Sequence, residues 1–338
     1  MKQVWISRTG GPEVLQVREA PDPEPGPGQV RVRVAAAGVN FADTMARMGL
    51  YPDAPKLPCV VGYEVSGQID KLGTGVQGVS VGDRVLAATR FGGYSDQVIV
   101  PGEQAVPMPA GLSFEKAAAI PVNYLTAWLM LIHLGNVQKG DTVLVHAAAG
   151  GVGQAALQIC RWRGATVIGT ASASKHERLK SLGVAHCIDY TTQDFLVEVK
   201  RLTEGRGVDI VLDAVGGKSY AKSYRCLRSM GRLFVFGASS IAPGGARSLM
   251  ALLGALVSMP SFKPLALMDR NRGVIGVNLG HLLDRTDVLR PALLEIVRLV
   301  KDGTFDPVVD RTFPFEKAGD AHRYIGDRKN FGKVLLAP

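Results

Sequence analysis

The chain has 338 residues, 46% of them apolar and 20% charged, a balance that supports buried cores and excludes a disordered or fibrous class. That length suits two domains rather than one. A formal charge of +9 favours anionic partners through a general field, but the basic residues are dispersed and form no tract interleaved with aromatics, which argues against nucleic-acid binding.

The four cysteines, Cys59, Cys160, Cys187 and Cys226, show no paired spacing, so neither a zinc knuckle nor a disulfide framework is expected and a reducing compartment is. The opening MKQVWISRTGG lacks the apolar stretch of a signal peptide. The most apolar run, Leu249–Met259, is about half the length of a spanning helix and reads as a buried or interface helix. A cytoplasmic protein without a transmembrane segment is the expectation.

From Met1 to about Asn123 the pattern predicts short strands broken by turns. Pro21, Pro23, Pro25 and Pro27 form a stiff connector, after which Val30, Val32 and Val34 alternate with Arg31, Arg33 and Ala35 as in a half-exposed strand. Gly73, Gly75, Gly78 and Gly82 then punctuate the chain, in the manner of a small barrel or sandwich. Beyond Asn123 the period changes. Tyr124–Leu134 reads as helix and Thr142–His146 as an apolar strand that runs into a glycine cluster. Further strands are predicted over Thr166–Thr170, up to Asp189, over Val208–Asp213, Leu233–Phe236 and Val274–Val277, and helices over Val152–Arg163, Lys175–Leu182, Asp194–Thr203, Ser219–Leu227 and Val288–Val300. Strands separated by roughly 10 to 15 helical residues imply crossover units and a mainly parallel sheet. At the end, Pro314–Ile325 reads as a helix with a proline start and Phe331–Leu336 as a strand that returns to the first domain.

The strongest local signal is Val143-Leu-Val-His-Ala-Ala-Ala-Gly-Gly-Val-Gly153, a strand entering clustered glycines and then a helix. Gly150, Gly151 and Gly153, with Val152 between them, permit a tight turn whose free N–H groups can receive pyrophosphate oxygens, although glycine turns also occur without ligands. The order Ala148-Ala-Gly-Gly-Val-Gly153 departs from G-x-G-x-x-G and lacks the Gly-Lys-Ser/Thr end of a triphosphate cradle. About twenty residues on, where an NAD site places Asp or Glu, the chain reads Ile168-Gly-Thr-Ala-Ser-Ala-Ser-Lys175. Without an acid there, Ser172 can hydrogen-bond a 2′-phosphate and Lys175 can neutralise it, with Arg178 a further candidate; NADPH is preferred over NADH. A solvated Lys175 at a helix start is the alternative.

His133, His146, His176, His186, His281 and His322 fall on different elements and none has a metal-binding spacing. His146 and Glu64 read as packed structural residues. A chain without ligands to polarise an alcohol or ketone suits acceptors that are already electrophilic, quinones and carbonyl-conjugated alkenes, with proximity and exclusion of water as the protein's contribution.

The segments Gly38-Val-Asn-Phe-Ala-Asp43, Gly49-Leu-Tyr-Pro52, Gly62-Tyr-Glu64, Gly82-Asp-Arg-Val85, Asn123-Tyr-Leu-Thr126 and Ala147–Gly153, in this order, resemble the zinc-independent quinone oxidoreductases, the zeta-crystallin-like family of the medium-chain dehydrogenase/reductase superfamily. Gly169-Thr-Ala-Ser-Ala-Ser-Lys-His-Glu177, Ser248-Leu-Met-Ala-Leu252 and Gly276-Val-Asn-Leu-Gly280 resemble its vesicle amine transport protein branch. The metal-binding cysteine of zinc-dependent relatives and the histidine before Gly62-Tyr-Glu64 are both missing here.

The resemblance implies an α/β protein with a GroES-like barrel catalytic domain at 1–123, a Rossmann parallel-sheet cofactor domain at 124–265, and at 266–338 the rest of that domain and the return to the first. It implies that Asn40, Asp43, Tyr51, Asn123 and Thr126 lie near nicotinamide or substrate, with Tyr51 the donor to an acceptor oxygen. Tyr190 would pack near adenosine, Phe236, Gly237, Val277 and Asn278 would approach the cofactor, and Asn330 would close over it. A homodimer acting on a small electrophilic acceptor is implied as well. A weakly catalytic or vesicle-associated binding protein, and a zinc-free alcohol or carbonyl dehydrogenase, are the competing readings.

Overall fold

In the computed structural model, residues 1–242, 253–254 and 257–338 are described. The segment Ser248–Leu252, and the apolar run Leu249–Met259 apart from residues 253–254 and 257–259, lie outside them. The chain divides into two units, one holding Met1–Leu125 with Leu279–Pro338 and the other the intervening chain to Asn278.

The first unit is built around the eleven-residue strand Gln29–Val39. Val30, Val32 and Val34 point into the core while Arg31 and Arg33 face outward, as period-two alternation requires. One edge of this strand pairs antiparallel with Glu64–Leu72. The other is shared between Gln97–Pro101 and the C-terminal strand Lys333–Ala337. The sheet continues outward through Arg84–Ala88 to Val106–Pro107 at one edge and ends at Val309–Pro314 at the other. Gly67 is obligatory in this sheet, because a Cβ there would lie 2.0 Å from the Arg33 carbonyl oxygen. A three-stranded sheet of Leu15–Glu19, Lys2–Ile6 and Cys59–Val60 completes the unit, with Val4, Ile6, Val65, Ile69, Val85 and Tyr94 in a shared core.

The second unit carries six parallel strands in the order His186–Asp189, Thr166–Ala171, Thr142–Val145, Val208–Asp213, Leu227–Val235, Gly273–Gly276. Numbered within the unit this is 3-2-1-4-5-6, the doubly wound arrangement whose order reverses between the first and fourth strands. All six residues of Val208–Asp213 are buried, as expected of a strand covered on both faces. The helix Gly151–Arg163 buries Ala155, Ala156, Ile159 and Cys160 and stops at Gly164, whose left-handed φ of 73° provides the C-terminal cap.

Several elements differ from the sequence expectation. Pro314 ends the edge strand Val309–Pro314 instead of starting a helix, and the helix begins at Ala318 after a short turn. The helix expected to run to Leu134 is α-helical over Pro121–Trp128 and widens into a π-turn over Leu129–His133. The fifth parallel strand starts at Leu227, six residues before Leu233, through a polar stretch that includes Met230 at φ 66°.

Candidate functional site

The glycine turn lies where the sheet order reverses. The first strand ends at Val145; after His146 comes Ala147 with φ 52°, and its carbonyl accepts the Gly150 N–H at 2.9 Å. Gly150 is the N-cap of the helix Gly151–Arg163; it offers no side-chain cap, and the first turn holds no acidic residue. Among the described residues the opening N–H groups of Gly151, Val152 and Gly153 therefore meet no side-chain cap and no carboxylate of their own first turn, and the helix dipole leaves partial positive charge there. Gly153 has a separate task. A Cβ at that position would lie 2.5 Å from the Ala147 oxygen and 2.6 Å from the Ala148 oxygen, so only glycine lets the helix press against the turn.

Other expected contacts gather at the same carboxyl end of the sheet. Ser172 follows Thr166–Ala171 and precedes a 3-10 turn, Ala173–Lys175; its hydroxyl is 3.4 Å from that of Ser174, and no carboxylate occurs between Ile168 and Lys175. Tyr190 follows Asp189 and is 39% exposed. Phe236 and Gly237 follow Leu227–Val235; the Phe236 N–H is bonded to Asp213 O, and Gly237 O accepts from the Tyr220 hydroxyl at 2.5 Å. Val277 and Asn278 follow Gly273–Gly276, with the Val277 N–H bonded to Val235 O. This donor set fits a phosphorylated dinucleotide: an uncapped helix start for pyrophosphate, and beside it a strand end with a hydroxyl and a lysine where an acid would repel a 2′-phosphate.

In the first unit Asn40 and Asp43 form a reciprocal capping box at the start of the helix Phe41–Arg47. Asp43 is fully buried. Its Oδ2 accepts the Asn40 N–H at 2.8 Å and the Tyr94 hydroxyl at 3.0 Å, and its Oδ1 accepts the Gly62 N–H at 3.1 Å. Burial pushes its carboxyl up to about 7 against the pull of these donors. The Tyr94 hydroxyl also lies 3.1 Å from His322 Nε2, and burial holds that imidazole down at about 3.

Asn40 is fixed from the far end of the chain. Its Oδ1 accepts from Lys333 Nζ at 2.7 Å, its Nδ2 lies 3.2 Å from Glu64 Oε1, and Lys333 forms an ion pair with Glu64 in which both side chains are buried. Glu64 Oε2 accepts the Val122 N–H at 2.7 Å. Glu64 is thus engaged structurally, and although Asn40, Asp43 and Glu64 stand in segments that carry the family resemblance, nothing in the local sequence around Lys333, Tyr94 or His322 points to this cluster. Asp43 is enclosed by it, whereas Asn40 and Tyr51, the other two expected catalytic residues, are half-buried. The Tyr51 ring meets that of Tyr63 edge-on at 6.3 Å, and Tyr63 packs on Phe91 at 4.9 Å. Burial, with the Tyr51 hydroxyl beside it, raises the Tyr63 phenol well above its usual range.

Asn123 and Thr126 are buried on the helix Pro121–Trp128, and the Asn123 amide donates to Ala119 O at 3.1 Å. Asn330 Nδ2 donates to Gly332 O at 3.0 Å in the turn before the C-terminal strand. Among the described residues no group of three or more His, Cys, Asp or Glu side chains is placed to hold a metal, and no helix is long and apolar enough to cross a membrane.

Two family models match the chain, an alcohol dehydrogenase GroES-like domain over residues 26–110 and a zinc-binding dehydrogenase over residues 182–336. The chain is 45% identical over 304 residues to the synaptic vesicle membrane protein VAT-1 homolog of Homo sapiens, covering 90% of this chain and 77% of that one. It is 35% identical over 339 residues to a 2-haloacrylate reductase of Burkholderia sp, covering 98% of each. The crystal structure of Escherichia coli quinone oxidoreductase complexed with NADPH superposes with a TM-score of 0.88 at 31% identity over 100% of both chains.

Proposed function

The chain belongs to the zinc-independent quinone and enone oxidoreductase branch of the medium-chain dehydrogenase/reductase superfamily, close to the VAT-1 homologs, and on that premise we propose that it reduces quinones or carbonyl-conjugated alkenes with NADPH. The observation that carries this reading is the uncapped glycine-built helix start at the reversal of a 3-2-1-4-5-6 sheet, next to a strand end that offers Ser172 and Lys175 and no acid.

Bound NADPH supplies the hydride. The N–H groups of Gly151, Val152 and Gly153 receive the pyrophosphate, and the Ser172 hydroxyl and Lys175 ammonium take the 2′-phosphate. Tyr190, Phe236, Gly237, Val277, Asn278 and Asn330 complete the cofactor contacts. The Tyr51 phenol, in a ring pair with Tyr63, donates to the acceptor oxygen and orients it, and the proton that completes reduction comes from this phenol or from water. Asn40 and Asp43 stand with Tyr51 on the catalytic side of the same unit, held in place by the capping box and the buried cluster that engage their polar atoms. A 2-haloacrylate is an activated alkene, and a relative of that name spanning the whole chain supports the alkene arm of the proposal.

A homodimer belongs to the same reading. Among the described residues Gly273–Gly276 pairs only with Leu227–Val235, so its outer ladder edge is open, and Met230 on the adjoining strand and Leu265 and Met268 on the helix that precedes Gly273–Gly276 in sequence are 76%, 78% and 70% exposed.

The test is oxidation of NADPH and of NADH at matched concentrations with an ortho-quinone, a para-quinone and an activated enone, in wild type and Lys175→Ala. NADPH-dependent turnover, with Lys175→Ala weakening NADPH about tenfold and NADH little, is expected from loss of one charge-assisted contact. Equal losses for the two dinucleotides would remove Lys175 from the phosphate site; binding without turnover on any acceptor would overturn the reductase assignment.

A further inference from the structure

Beneath the glycine turn lies a chain of buried polar groups linking three strand ends. His146 is 3% exposed, with Nδ1 3.1 Å from Thr170 Oγ1 and Nε2 3.0 Å from Ser223 Oγ. Ser223 and Ser219 both donate to Asp213 Oδ2 at 2.7 Å, and Asp213 Oδ1 accepts the N–H groups of Val215 at 2.7 Å and Gly216 at 3.3 Å. His146 Nε2 and Asp213 Oδ2 are 3.9 Å apart, too far for a hydrogen bond, so Ser223 is the bridge. The Phe195 ring closes the remaining side, edge-on to the imidazole at 4.5 Å.

The chemistry of these groups fixes every proton. Asp213 Oδ2 accepts from both serines, so the single Ser223 proton is committed to Asp213. The Ser223 oxygen is then an acceptor toward His146, which places the imidazole proton on Nε2. Nδ1 is bare and accepts from the Thr170 hydroxyl. Burial favours the neutral ring this arrangement requires, outweighing the attraction of Asp213 for a charged one.

Each member adjoins a segment of the candidate cofactor site. His146 precedes Ala147, whose φ of 52° starts the glycine turn. Thr170 lies two residues before Ser172, and its carbonyl accepts the Ala148 N–H at 3.1 Å. Asp213 holds the turn at Gly216 and Gly217, where φ is 83° and 57°. These are the carboxyl ends of the second, first and fourth strands of the sheet, the two sides of its reversal.

We propose that His146, as its Nε2–H tautomer, is a positioning residue for dinucleotide binding: through Ser223, Asp213 and Thr170 it locks the pyrophosphate turn, the 2′-phosphate segment and the Gly216–Gly217 turn in register. The inference rests on the dinucleotide reading of the glycine turn. Because the lock acts on the pyrophosphate turn as well as the phosphate segment, its loss weakens NADPH and NADH alike, unlike loss of Lys175.

The experiment measures NADPH and NADH dissociation constants by titration calorimetry, and thermal midpoints, for wild type, His146→Ala, His146→Gln and Ser223→Ala. Side-chain 15N chemical shifts of His146 are recorded in wild type. Expected are an Nε2–H tautomer, at least a tenfold loss for both dinucleotides in His146→Ala and Ser223→Ala, and recovery of most of it in His146→Gln, whose amide can donate to Ser223 and accept from Thr170. If His146→Ala does not fold, Ser223→Ala carries the test with one hydroxyl removed. Lower thermal midpoints with dissociation constants within twofold of wild type would overturn the positioning role, as would an Nδ1–H tautomer or an imidazolium at neutral pH. A wild-type chain that binds neither dinucleotide overturns the underlying reading as well.

Discussion

Asp43 and His322 both lie within hydrogen-bond distance of the Tyr94 hydroxyl, and burial moves their protons in opposite directions on folding. The native Asp43 carboxyl, at about 7, is above its unfolded value of 3.8, so between these values the folded chain holds the extra proton and this contribution to stability falls as pH rises. The native His322 imidazole, at about 3, is below its unfolded 6.5, so over that window the unfolded chain holds the extra proton and the contribution rises with pH. From about pH 4 to 6.5 the two slopes oppose each other. Folding there transfers one proton from histidine to aspartate, and the Tyr94 hydroxyl, able to donate to either neighbour, accommodates both arrangements. The pair therefore leaves wild-type stability nearly level in this window. His322→Gln, which retains an acceptor for Tyr94, exposes the Asp43 slope: stability should fall with rising pH by up to about 1.4 kcal/mol per unit. Asp43→Asn exposes the opposite slope. Urea unfolding midpoints from pH 4.5 to 6.5 measure both, and a level profile in either variant would show that the native protonation states are not those of an Asp43 proton and a neutral His322.

At the scale of elements, the C-terminal strand Lys333–Ala337 joins two chain segments, Gln29–Val39 and Val309–Pro314, and its first residue brings a buried ammonium to Glu64 and Asn40. Breaking a buried pair by removing one partner costs about 3–5 kcal/mol because the other charge is left uncompensated. Lys333→Met should lower unfolding free energy by an amount in that range, and adding Glu64→Gln should restore part of it; additive losses in denaturant unfolding would mean that the two charges are not coupled in the folded protein. Such a pair is invisible in sequence, since Lys333 is brought to Glu64 and Asn40 from the far end of the chain, 293 residues from Asn40, and no local pattern marks Lys333 as their partner. The features that sequence does show have local causes. The glycine turn is legible because strand, turn and helix start are contiguous from Val143 to Gly153, and Val208–Asp213 because its centre, Ile210-Val-Leu212, is the short apolar run of a strand buried on both faces. The last residue of the edge strand Val309–Pro314 reads as a helix start because a proline suits either a helix start or a sheet edge. The role of His146 depends on Ser223 and Asp213, and its sequence neighbours do not reveal it.

For the whole molecule, the six-stranded sheet poses a problem that its own unit does not solve. One of its terminal strands, Gly273–Gly276, leaves its outer backbone groups without a ladder among the described residues, and an open edge is a template for pairing. Single exposed apolar side chains are ordinary, but Met230 is joined to the residue just after the helix Pro264–Arg270 by its N–H bond to Asn271 O, and Leu265 and Met268 lie on that helix. Apolar surface next to an open ladder suits an isologous contact, in which the same patch on two copies meets across a twofold axis. Sedimentation velocity at micromolar concentration should give a dimer for wild type. Leu265→Glu with Met268→Glu buries four like charges in such a contact and should shift the chain to monomer while leaving each glycine turn, and hence NADPH affinity, unchanged. A monomeric wild type would leave the edge without this partner. A double variant that remains dimeric would place the contact elsewhere, and one that loses NADPH binding together with the dimer would show that the far edge of the sheet supports the cofactor turn through the subunit contact.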